Sequence, residues 1–431
     1  MPHIELPYGH GLRRLVLPDG VDAHLLRPTP PPDLPDPLQA LARAVDSALD
    51  TSKHRGRPAP GSVAIAVPDE TRPLPVKDLL PVLLDRLFAL WPRLAPGDVT
   101  VVVGGGLHPA LSRAELERVI PPSAARGCRV IGHDAHLSPM TEHGRTSRGT
   151  PVRINAAIGA AEFRLVLGQV DPHQFVGFTG GSKGITVGCA SAEMIRANHG
   201  GLFASSARAG VLDENPVRQD LNEAGRLIGI HLAVNVVLSP AKRIVWLGAG
   251  DPEAVLAEGA KVCAGVYGVA LDEPFDIVLA SCGGHPKDIC LYQAQKGLNM
   301  ACQAAKPGGR VLLLAECPGG VGDETYHDYV RRFARPADVL ADFRSHGFRM
   351  GAHKAYLFGL SLDSRRVVLD SALDAATLKE CQITAGVAQA TLDAWLAEGP
   401  ARPRVAVIPN ANTTFFHRPA GQRAPEGGEN K

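Results

Sequence analysis

The sequence predicts an α/β protein of two lobes, each a mainly parallel sheet flanked by helices. Three observations carry this reading. Short β-branched runs alternate with longer helical stretches along the chain. The strands are nearly continuous apolar runs, which suits a sheet covered on both faces. Their strand–helix–strand order is that of a doubly wound fold. A length of 431 residues, at roughly 100–200 residues per domain, allows two or three domains with cores of their own.

In order, residues 62–67 form a strand ending at Pro68-Asp69, and 81–91 a Leu-rich helix with Pro81 in its first turn. A strand at 98–103 runs into Gly104-Gly105-Gly106, followed by a helix at 112–119 and strands at 128–131 and 163–167. A composition change near 266–274 opens the second lobe. There a strand at 275–280 ends in Ser281-Cys282-Gly283-Gly284, and a helix at 292–306 is stopped by Pro307-Gly308-Gly309. A strand at 311–315, a helix at 337–346 and strands at 365–369 and 404–408 complete it. The expected division is 1–270, an N-terminal lobe, 271–408, a C-terminal lobe, and 409–431, a C-terminal segment with a polar, disordered tail from Gln422. Six prolines in 28–37 mark a surface loop.

Charge and composition exclude several classes. With 45 Lys+Arg against 44 Asp+Glu, the chain lacks the basic field that a nucleic acid needs. Its apolar runs are strand-sized, far short of the roughly 20 residues that cross a bilayer. Residues 1–12 do not read as a signal peptide. The eight cysteines contain no C-x-x-C pair, as expected of reduced thiols in the cytoplasm. A soluble cytoplasmic enzyme is the expectation.

In open α/β sheets, ligands gather at the carboxyl ends of strands. Three such ends carry charged or imidazole groups: Pro68-Asp69-Glu70-Thr71-Arg72, Gly104-Gly-Gly-Leu107-His108 and Gly168-Gln-Val-Asp-Pro-His173. Histidine titrates near neutrality, so His108 and His173 are candidates for proton transfer; exposed loop and turn histidines are the competing readings. Arg72 offers a guanidinium fork for a carboxylate or phosphate, against a structural Asp–Arg pair. Gly177-Phe-Thr-Gly180-Gly181-Ser-Lys183-Gly is glycine-rich backbone that can approach a ligand, with a lysine able to pair with charge or form a covalent bond. It is not a P-loop, because Gly184 follows Lys183. Asn198-His199 closes a helical segment, and a lone histidine predicts little about metal. Gln293 and Lys296 share a helix face, functional or merely solvated. His133-Asp134 and His353-Lys354 are held as structural.

Together these residues resemble the nickel-dependent lactate racemase family. The likeness runs over most of the chain through six motifs in order: Asp69-x-Thr-Arg72-Pro, Gly-x-His108, Pro172-His173, Gly180-Gly-Ser-Lys183, Asn198-His199 and Tyr292-Gln293-x-x-Lys296. The resemblance implies a nickel-pincer nucleotide, a pyridinium-3,5-bisthiocarboxylate mononucleotide holding Ni(II). Lys183 would bond it covalently, with Asp69, Glu70, Thr71, Arg72, Gly180 and Gly181 as contacts and His199 as the nickel ligand. His108 and His173 would be the acid/base pair, and Arg72, Gln293 and Lys296 would hold the substrate, with the site in the cleft between lobes. The implied activity is racemisation or epimerisation of a 2-hydroxy acid by hydride transfer through a 2-keto acid. Such a protein depends on cofactor-synthesis enzymes. A net redox enzyme or a non-catalytic binding protein on the same scaffold are the alternatives. Leu107 and Pro109 flank His108 where the family usually has Thr and Arg, which implies altered contacts there and favours a substrate other than lactate.

Overall fold

The computed structural model describes residues 3–50, 58–349 and 351–417; the tail from Gln422 lies outside them. The chain forms two compact units, Pro30–Val266 and Met1–Thr29 together with Tyr267–Lys431. The expectation that 1–270 forms one lobe is therefore corrected at its start. The strand Asp22–Leu25 extends the second unit's sheet by pairing in parallel with Arg404–Ile408. Ahead of it, the hairpin His3–Tyr8/Gly11–Val16 buries Leu6, Tyr8 and Leu15 in that unit's core. Asp288 adds a tie, accepting the Gly9 N–H at 2.7 Å. Asp22-Ala-His-Leu25 is largely exposed, so no apolar run announced it.

The Pro30–Val266 unit is built on a six-stranded sheet in the order Ile244–Gly250, Leu232–Leu238, Phe163–Gln169, Val63–Pro68, Val99–Gly104, Arg129–Gly132. All neighbours are parallel except the edge strand Ile244–Gly250, which is antiparallel to Leu232–Leu238. The continuous apolar runs have the cause anticipated: alternate residues enter cores on opposite faces. Val63, Ile65 and Val67 point to one core, and Ala64 and Ala66 to the other.

The helix expected at 81–91 begins earlier, at Val76, and runs to Leu90 with Pro81 inside it. An internal proline costs about 3 kcal/mol. Leu79, Leu80, Leu83, Leu84 and Leu87 are all fully buried, and at about 1.5–3 kcal/mol apiece they outweigh that cost. The helix Arg113–Val119 starts at a capping box, with Ser112 and Glu115 capping each other's backbone N–H.

The second unit's sheet is parallel throughout, in the order Thr384–Ala385, Arg366–Asp370, Ala305–Leu314, Phe275–Ser281, Arg404–Ile408, Asp22–Leu25. Pro307-Gly308-Gly309 does not stop the preceding helix, which ends at Ala304. These residues lie inside the strand Ala305–Leu314, where its register against Phe275–Ser281 shifts.

Candidate active site

Three neighbouring strands of the Pro30–Val266 unit, Val63–Pro68, Val99–Gly104 and Phe163–Gln169, bring their carboxyl ends together around an open cavity. Asp69, Thr71, Arg72, His108, Gly180, Gly181 and Lys183 all line it. Residues more than 100 positions apart in sequence thus meet because the strands that end in them are adjacent.

His108 is anchored by Asp69, whose Oδ2 lies 2.7 Å from Nδ1. Asp69 is buried and His108 half-exposed. Burial alone would raise the Asp69 carboxyl, but hydrogen bonds from His108 and Thr71 hold it below its ordinary value. A carboxylate can only accept, so His108 carries its proton on Nδ1 and leaves the Nε2 lone pair free to act as a base. The close approach depends on Gly105, where a Cβ would stand 2.7 Å from Asp69 Oδ2.

The Lys183 loop is shaped by its glycines. Gly180 and Gly181 have φ of +93° and +59°, and Gly181 N–H donates to Asn235 Oδ1 at 2.7 Å. A Cβ on Gly184 would lie 2.3 Å from Val166 Cγ2, so the turn after Lys183 can sit directly on the sheet. Lys183 is pushed down to about 7, first by desolvation and then by the charges of Arg72 and Arg218. At neutral pH a large share of this amine is unprotonated and nucleophilic.

His173 and His199 lie near one another without lining that cavity's wall. The ring of Phe175 packs edge-on against both, at 4.7 Å from His173 and 5.0 Å from His199. His173 Nδ1 accepts the Val176 N–H at 3.2 Å, which in the neutral ring leaves its proton on Nε2. His199 ends the helix Ala192–His199, capped at its start by Ser191. Among the described residues, no group of three or more His, Cys, Asp or Glu side chains is placed to hold a metal ion.

Comparisons with known proteins identify the fold and its relatives. The model of the lactate racemase N-terminal domain matches residues 8–210, and that of the lactate racemase C-terminal domain matches 271–410. The chain belongs to the lactate racemase family. It is 30% identical over 354 residues to a lactate racemase of Thermoanaerobacterium thermosaccharolyticum, covering 80% of this chain and 82% of that protein. A lactate racemase of Lactiplantibacillus plantarum is 29% identical over 310 residues, covering 70% and 71%. The solved structure of the lactate racemase apoprotein from T. thermosaccharolyticum superposes with a TM-score of 0.85 at 26% identity, covering 97% of this chain and all of that one. The family resemblance read from six motifs is borne out, as is the two-unit α/β architecture, and the family is one of isomerases.

Other residues of this lactate racemase family member depart from expectation or were missed. Glu70 turns away from the cavity and lies 3.8 Å from Arg118. Gln293 and Lys296 sit on the helix Leu291–Ala304 of the other unit. Beside them Lys354, held as structural, donates to Gln295 Oε1 at 3.0 Å and lies 4.9 Å over the Tyr292 ring. Desolvation and then Lys296 push its amine down to about 8. His133 is structural as expected, buried between Ala190 O and the Asn155 amide. Arg218 carried no sequence signal, yet it is buried and donates to the carbonyls of Val176, Phe178 and Gly180. It thereby fixes the backbone between His173 and Lys183.

Proposed function

We propose that this protein is a racemase or epimerase of a 2-hydroxy acid that carries a nickel-pincer nucleotide on Lys183. The observation that carries the reading is a lysine amine held near neutrality in the same cavity wall as the Asp69–His108 pair. The residues present fit such a group. The unprotonated Lys183 amine suits an amide-type linkage. Arg72, Thr71 and the glycine backbone at 180–181 supply a cation and hydrogen-bonding groups for a mononucleotide. One imidazole, His199, is what remains for the protein to give a metal whose other ligands come with the group. When bound, the cofactor would supply a reversible acceptor for the hydrogen on C2 of the substrate.

The chain's own residues manage protons and orientation. His108, held by Asp69, takes the hydroxyl proton of one enantiomer through Nε2, and His173 is the base for the opposite hand, a role that requires its Nδ1 to give up the Val176 N–H it accepts here. Racemisation needs a base for each enantiomer, which is why two histidines are used. Arg72 is the cation in this cavity for the carboxylate of a 2-hydroxy acid, and Gln293 and Lys296 are the substrate-binding residues proposed on the other unit. The work would be cytoplasmic and would depend on the enzymes that make the cofactor.

The test is expression together with cofactor-synthesis enzymes, followed by intact-mass and nickel analysis and a screen of chiral 2-hydroxy acids for loss of optical rotation. The expected result is a mononucleotide-sized adduct on Lys183, nickel in proportion to it, and racemisation that His108→Ala and His173→Ala each lower by about 10²–10⁴-fold. Protein with neither adduct nor nickel after co-expression overturns the reading.

A further inference from the structure

A buried chain of hydrogen bonds ends on His199. The Asn198 amide nitrogen donates to Val217 O at 3.0 Å and to Asp220 Oδ2 at 2.8 Å. Both partners can only accept, so the orientation of the Asn198 amide is settled: its nitrogen faces them and its oxygen faces away. That oxygen lies 3.2 Å from His199 Nδ1. Asp220 is itself held in place, accepting from Thr146 Oγ1 at 2.5 Å and Thr150 Oγ1 at 2.9 Å. Asn198, Asp220, Thr146 and Thr150 are each at most 5% exposed, so water does not compete for these groups.

We infer that Asp220 and Asn198 are positioning residues that hold His199 in its Nδ1–H tautomer, so that Nε2 presents a lone pair. The carbonyl oxygen of Asn198 cannot donate, so a neutral His199 bonded to it must keep the proton on Nδ1. Were the amide free to turn, its NH₂ group would favour the opposite tautomer and put the proton on Nε2. Nε2 would then be closed to a metal. Asp220 and the Val217 carbonyl are what prevent that turn. Partners on the far side of a ligating imidazole commonly change metal affinity by about 10–100-fold. The tautomer assignment stands on hydrogen bonds of the protein alone, whereas its consequence for nickel rests on the proposed function.

The first measurement uses the apoprotein with ¹⁵N-labelled histidine at pH 8.5, above the ordinary imidazole pKa of about 6.5. Two-bond nitrogen–proton correlation spectra tell a protonated ring nitrogen from a bare one, and His199→Gln assigns the signals. The expected result is a protonated Nδ1 and a bare Nε2, with the preference lost or reversed in Asn198→Leu. A wild-type His199 with its proton on Nε2 overturns the inference, and needs no variant to fold. An Asn198→Leu protein with the wild-type tautomer and a native circular dichroism spectrum overturns it equally. In cofactor-loaded protein, Asn198→Leu should release nickel to a chelator about 10–100-fold faster, read by metal analysis without turnover. Wild-type protein that takes up no cofactor would count against the proposed function and leave the tautomer result standing.

Discussion

Lys183 gives the most direct test of the cavity's electrostatics. An ordinary lysine has a pKa of about 10.4, so at pH 7 only about one amine in 2,500 is unprotonated. With its pKa pushed down to about 7, Lys183 has roughly half its amine free, about 10³-fold more. Amine acylation consumes only the unprotonated form. The assay is therefore brief competitive labelling of the apoprotein with acetic anhydride between pH 5 and 11, with peptide mass spectrometry reading each lysine. Acetylation of Lys183 should rise with a midpoint near pH 7. Desolvation is the largest cause and the Arg72 charge the next. Arg72→Met should therefore move the midpoint upward but leave it well below 10.4. A Lys183 midpoint near 10, in folded protein, would refute the claim that the cavity neutralises this amine and remove the main support for a covalent linkage.

Three further outcomes follow from the same wall. Asp69→Asn leaves an amide that no longer commits His108 to the Nδ1–H tautomer, so turnover in the loaded enzyme should fall by about 10²-fold or more with little change in KM. Because the folded Asp69 carboxyl lies below its unfolded value of about 3.9, its stabilising contribution is complete above that value. It is lost as pH falls through the folded pKa, and denaturation of wild type and Asp69→Asn across pH 2–6 measures the difference. Gly180→Ala forces a side chain into φ +93° with its Cβ 2.8 Å from Val170 Cγ2 and 2.9 Å from Asn235 Oδ1. It should cost about 1–3 kcal/mol in urea unfolding.

The sequence made the N-terminal strands and their glycine-rich ends legible because each has a local signature. Val63–Pro68 is apolar without interruption and Val99–Gly104 is so apart from Thr100, since both faces are covered, and Gly104-Gly105 and Gly180-Gly181 mark places where a Cβ has no room. What stayed hidden depends on partners far away in the chain. Asp22–Leu25 is a strand only because Arg404–Ile408 offers an open edge. The Asp69–His108 pair could not be read from either motif alone, because it requires strands Val63–Pro68 and Val99–Gly104 to be neighbours. Pro81 argued locally for a helix start, and the buried leucines around it overrode that preference.

The deepest omission was the helix Pro216–Ile228, which shows how one element can hold several candidate site residues in place. Asn215 caps it by accepting from the N–H groups of Val217 and Arg218. That cap sets the rotation of the first turn, where two charged residues are wholly enclosed. Arg218 gathers the carbonyls of Val176, Phe178 and Gly180, which fixes the span from His173 to Lys183. Asp220 grips Asn198 and through it His199. A buried arginine or aspartate is costly unless its hydrogen-bonding capacity is filled, and here both are filled by backbone, amide and hydroxyl groups belonging to the site. In sequence, Pro-Val-Arg-Gln-Asp reads as an ordinary helix start with solvated charges. The physical reason to treat it otherwise is that three candidate site residues sit on segments with little regular structure of their own, the short strand Pro172–His173, the four-residue helix Lys183–Thr186 and the last turn of Ala192–His199. Segments that short cannot hold a side chain to within a fraction of an ångström by themselves. The rigidity has to be imported, and Pro216–Ile228 is the element that supplies it.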